Sequence, residues 1–124
     1  MPKHLTDEQI EQYQRDGYVS PVRVMSEDEA VALRQKIESF EAAQGKSIHG
    51  TQRTKCSLLF PWVYDLFTGD TMLDVVEDLI GPDILQYQCA VWIKEPETTS
   101  YVSLHQDCTY YGMDPLELVS AWVA

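Results

Sequence analysis

The run Ile84-Leu85-Gln86-Tyr87-Gln88-Cys89-Ala90-Val91-Trp92-Ile93 constrains the fold more than any other stretch of this chain. Successive side chains on a strand point to opposite faces, so residues two apart share one face. Leu85, Tyr87, Cys89, Val91 and Ile93 form an apolar face at that period, and Gln86, Gln88, Ala90 and Trp92 form the other. A pattern this regular predicts a strand and therefore a sheet. The second face, with two amides and an indole, suits the wall of a polar pocket, and simple solvent exposure accounts equally for the glutamines.

Helix signals come earlier in the chain. Thr6 with Gln9 makes a capping box, Leu5 with Ile10 a hydrophobic staple, and Asp16-Gly17 a stop. Ser26 with Glu29 repeats the box, with acids in the first turn where the helix dipole favours them. Ala30, Leu33, Ile37 and Phe40 follow at helical spacing, and Gly45 closes that helix. Asp70 can cap a third helix carrying Met72, Leu73, Val76, Leu79 and Ile80, which Gly81-Pro82 ends.

Between these helices, Tyr18-Val19-Ser20-Pro21-Val22-Arg23-Val24 reads as a strand that Pro21 confines to an edge. The polar stretch 46–55 reads as a loop entering a short strand near Thr54-Lys55-Cys56, and 58–67 as an aromatic core segment. Lys94-Glu95-Pro96-Glu97-Thr98-Thr99 reads as a turn. Leu118-Val119-Ser120-Ala121-Trp122-Val123-Ala124 reads as a strand in which the chain stops, and this predicts a fragment of a longer protein.

His105 and Asp107, two apart on an expected strand, would present an imidazole and a carboxylate side by side. These are two of the three ligands of the two-His-one-carboxylate triad of non-haem iron oxygenases. The alternative is a strand-end pair whose members hydrogen-bond each other or a turn.

Composition narrows the partners. A formal charge of −11 argues against nucleic acid and against anionic membrane surfaces. No apolar run reaches membrane-spanning length, and the N-terminus has no signal-peptide core. Cys56, Cys89 and Cys108 show no metal-binding spacing, and reduced thiols in a cytoplasmic protein fit them best. Cys108 reads as a small buried filler.

Taken in order, several pieces resemble the phytanoyl-CoA dioxygenase family of Fe(II)- and 2-oxoglutarate-dependent oxygenases. They are Leu5-Thr6-Asp7-Glu8-Gln9-Ile10, Asp16-Gly17-Tyr18-Val19, Leu79-Ile80-Gly81-Pro82-Asp83-Ile84, Lys94-Glu95-Pro96, Leu104-His105-Gln106-Asp107, Thr109-Tyr110-Tyr111-Gly112 and Val119-Ser120-Ala121-Trp122-Val123-Ala124. The resemblance covers nearly the whole chain.

It implies an α+β fold, with N-terminal helices packed on a partial, truncated double-stranded β-helix (a jelly roll akin to the cupins). Residues 1–124 would form a single domain, the N-terminal part of a phytanoyl-CoA dioxygenase-like domain. It implies His105 and Asp107 as the first two Fe(II) ligands. The family's distal His and the Arg that pairs 2-oxoglutarate have no counterpart in this chain, and His4 and His49 lie upstream in the wrong order. Lys55, Gln88 and Trp92 would contact the 2-oxoglutarate co-substrate, and Tyr110 and Tyr111 would wall the substrate side.

For Lys55 plain solvation competes with that role, and for the tyrosines core packing does. Retention of Asp107 implies hydroxylation rather than halogenation. The expected function is thus a dioxygenase acting on a small molecule, with the 124-residue chain itself inactive. The rival is a non-catalytic fragment or interaction module that keeps the partial fold. Two ligands hold iron weakly, and an incomplete jelly roll leaves unpaired edges.

Overall fold

The computed structural model describes every residue except Glu95 and Leu116. The two capping boxes form. Helix α1 (Asp7–Asp16) starts where Thr6 Oγ1 accepts from Gln9 N and Gln9 Oε1 accepts from Thr6 N, at 3.2 and 2.9 Å. Helix α2 (Glu27–Gln44) starts in the same way, with Ser26 N donating to Glu29 Oε2 at 2.8 Å and Glu29 N to Ser26 Oγ at 3.3 Å. Each box satisfies two of the orphan donors at a helix start. Gly17 and Gly45 end these helices at φ 79° and 70°, the left-handed conformation that glycine adopts without a Cβ clash.

Further along, helices stand where a loop and short strand were expected. α3 (Gly50–Thr54) and α4 (Cys56–Leu59) fill that stretch, and Lys55 is the junction between them. Pro61 opens α5 (Pro61–Thr68) from the first turn, where its missing N–H costs nothing. Helix α6 (Asp70–Ile80) has Gly69, not Asp70, at its N-cap, and ends before Gly81 as expected. A last short helix, α7 (Cys108–Tyr111), follows directly on Asp107.

No strand occurs among the described residues, so the expected α+β jelly roll is overturned. The edge strand at 18–24, the run at 84–93, the His105 strand and the terminal strand are all irregular. From 82 to 105, the backbone bonds donated by the described residues are Ile84 N to the Pro82 carbonyl and Val91 N to the Arg53 carbonyl, both at 3.0 Å. Neither belongs to a ladder. Alternation says which side chains share a face, but a strand also needs a neighbour to take its N–H and C=O groups. The Lys94-Glu95-Pro96 turn includes Glu95 and lies partly outside the described residues.

The core joins helical residues to residues of the connections between and after the helices. Ile48, Cys56, Phe60, Val63 and Cys89 are buried together, and Ile37 and Phe40 from the α2 stripe pack against them. Phe60 meets Phe40 edge-on at 4.8 Å between centroids and stacks on Trp62 at 5.4 Å. The aromatic run 58–67 is only partly core, because Leu58, Leu59 and Tyr64 are exposed.

At the other end α1 rests on α6. Here the Asp78 carboxylate accepts the backbone N–H groups of Lys3, His4 and Leu5, each at 2.8 Å. Among the described residues no helix is long and apolar enough to cross a membrane.

Candidate functional site

His105 and Asp107 do come together. His105 Nε2 lies 3.1 Å from Asp107 Oδ1, His105 Nδ1 lies 2.7 Å from the Ser103 carbonyl, and Ser120 Oγ donates to Asp107 Oδ2 at 2.6 Å. The pair is held by the entry into α7 on one side and by the terminal stretch on the other. The Ser103 carbonyl foremost, then the Asp107 carboxylate, raise the imidazole above its ordinary pKa against the opposing effect of burial. Both ring nitrogens thus face acceptors. A neutral imidazole donates from only one nitrogen, so the cation satisfies this arrangement.

That geometry decides the metal question. A histidine ligand must offer a ring lone pair to the ion, and here each ring nitrogen already lies within hydrogen-bond distance of an oxygen. Both oxygens of Asp107 are engaged as well. Among the described residues no group of three His, Cys, Asp or Glu could hold a metal ion.

Among the described residues the donor set does not fit Fe(II), and no strand forms there from which a jelly roll could bring 2-oxoglutarate to it. The expected Fe(II)/2-oxoglutarate dioxygenase, as enzyme and as cofactor set, is therefore overturned. What forms is the simpler arrangement, an imidazole and a carboxylate bonded to each other.

The tyrosines sit beside this pair. The Tyr110 ring meets His105 edge-on at 5.8 Å between centroids, and its side chain is exposed. Tyr111 packs on Tyr87 at 4.7 Å. Burial, then the negative charge of Asp107, push the Tyr111 phenol above its ordinary range.

Lys55, Gln88 and Trp92 belong to a second locus, where stretch 53–56 meets stretch 88–92. Val91 N donates to the Arg53 carbonyl, the Arg53 guanidinium lies 4.0 Å over the Trp92 ring, and Cys56 Sγ lies 3.2 Å from Cys89 Sγ. Lys55 and Gln88 are exposed beside these contacts. The Arg53–Trp92 contact is a cation–π pair, worth about 0.5–1 kcal/mol at an exposed site.

Two participants were not singled out from the sequence. Ser120 reaches Asp107 across 13 residues, and Arg53 meets Trp92 from a still more distant part of the chain. Neither carries a local signal, since a hydroxyl or guanidinium has no periodicity that marks its partner.

The sequence model of the phytanoyl-CoA dioxygenase (PhyH) family matches residues 13–124. No curated protein and no solved structure matches the chain. The match spans most of the chain, although among the described residues no group of three possible metal ligands is assembled, and this chain belongs to the phytanoyl-CoA dioxygenase family.

Proposed function

We propose that this chain is a non-catalytic protein-interaction module whose C-terminal third, 84–124, pairs with a basic, strand-forming segment of another protein. One observation carries the reading. Leu85, Tyr87, Trp92, Tyr101, Leu104 and Trp122 are all more than half exposed on a segment with few backbone partners. Large apolar side chains left exposed along one segment are available to a partner. A segment with unpaired N–H and C=O groups and alternating side chains is suited to strand addition.

Charge selects the partner. Residues 84–124 carry one Lys against two Asp and three Glu, which is a net −4. A basic segment complements that field and is steered toward it. We assign the module to the cytoplasm on the strength of its three unpatterned cysteines.

Titration of the chain with a lysine-valine alternating peptide, followed by tryptophan fluorescence and far-ultraviolet circular dichroism, tests this. Binding should bring a gain of strand signal, and Trp122→Ala should weaken it roughly tenfold or more, the scale of one lost aromatic anchor. Equal binding of a glutamate-valine peptide, or no strand gain, overturns the reading.

A cleft of about 520 Å³ favours a second reading, in which the partner is a small molecule. Leu33, Lys36, Trp62, Asp65, Leu66 and Met72 line it, and its size is that of ligand pockets. A ligand seated there shifts the Met72 methyl resonance. Shifts at Trp122 alone would place binding on the C-terminal segment instead.

A further inference from the structure

We propose that Cys56 and Cys89 are a redox-modification site, forming a reversible intramolecular disulfide that staples the irregular segment after Pro82 to the helical body. The two sulfurs are 3.2 Å apart and belong to residues 33 apart in sequence. Cys56 is fully buried and Cys89 is 8% exposed, so the pair is part of the core. Forming a bond of about 2.05 Å asks for a closure of only about 1 Å.

Other contacts hold the two stretches in register. The Val91 N–H to Arg53 carbonyl bond and the Arg53–Trp92 stack each lie within three residues of a cysteine. The third thiol, Cys108, lies in α7 and is only partly buried.

The oxidant is a peroxide. The segment opens first, because few backbone bonds hold it. One thiol loses its proton, and the thiolate attacks a peroxide oxygen, giving a sulfenic acid as the O–O bond breaks and water leaves. The second thiol attacks that sulfur, the S–S bond forms, and a second water departs. In sum, two thiols and one hydrogen peroxide give one disulfide and two waters. A low-molecular-weight dithiol reverses it by exchange and leaves as its own disulfide.

In the closed state the pair is protected. Burial foremost, then the contact with Cys56, push the Cys89 thiol up to about 12, and the thiolate is the reactive form. Oxidation is therefore gated by local opening of the segment. The proposal is independent of the strand-pairing reading, since it needs only the contact itself.

The full chain provides its own assay. No Lys or Arg lies between Cys56 and Lys94, so trypsin releases both cysteines in one peptide, 56–94, while Cys108 leaves in 95–124. The reduced chain is treated with hydrogen peroxide, alkylated in denaturant and digested. Peptide 56–94 should lose two hydrogens and accept no alkyl group, and dithiothreitol should restore both alkylation sites. Full alkylation of 56–94 after Cys108 has been oxidised overturns the proposal. So does a cross-link to 95–124 or between chains, or addition of oxygen to the two cysteines without a disulfide.

Discussion

His105 has an acceptor at each ring nitrogen, Ser103 carbonyl oxygen at 2.7 Å and Asp107 Oδ1 at 3.1 Å. Its folded pKa is raised above the free value of 6.5, with the Ser103 carbonyl as the largest cause. The sign follows directly. Stabilisation from this contact is fully present below pH 6.5 and is lost as pH rises through the raised folded value. Nuclear magnetic resonance titration of the His105 ring protons checks this, with a midpoint above 6.5 expected. Asp107→Asn should lower the midpoint only in part, because the Ser103 carbonyl remains. A native midpoint at or below the free value contradicts the arrangement. At this scale the spacing of His105 and Asp107 suggested a pair on one strand face, but no strand forms there and the two meet at the entry to α7. Their chemistry was not legible in the sequence, because it depends on Ser103 and Ser120.

The helices show the same division between near and far. Their starts are set by bonds between residues three apart, as in Thr6–Gln9 and Ser26–Glu29, and such signals are visible in the chain itself. Residues 3–5, just ahead of α1, are tied to α6 by Asp78, which binds N–H groups 73 to 75 residues away and leaves no local trace. Burial pushes the Asp78 carboxyl upward, but the three N–H bonds together prevail and hold it below its ordinary value of 3.8. This contribution is present above pH 3.8 and disappears as pH falls through the lower folded value. Asp78→Ala should destabilise the chain by about 1–2 kcal/mol at neutral pH, the scale of charge-assisted bonds to partly solvated donors. Urea unfolding of both chains at pH 7 and near pH 3 measures it. An equal difference at the two pH values would rule out the ionic origin.

For the molecule as a whole, stability is concentrated around Phe60, which is 7% exposed and touches rings from α2 and α5. Phe60→Ala should cost about 3–5 kcal/mol, a large share of a small domain's total. Trp122→Ala, at a residue 84% exposed, should change stability by no more than about 0.5 kcal/mol. Urea unfolding followed by circular dichroism compares the two. Similar losses for both would mean that the C-terminal third is packed on the body rather than open to a partner.

What the sequence by itself determined is the set of local structures: α1, α2 and the end of α6, whose caps and glycine stops act within one turn of the chain. The alternation at 84–93 was equally clear, yet it specifies only a face. Whether that face joins a sheet depends on a neighbouring strand, and in this chain the segment finds instead an arginine carbonyl, an arginine side chain and a cysteine from the 53–56 stretch. Those contacts span more than thirty residues, and such distant pairings are decided by the packing of the whole molecule.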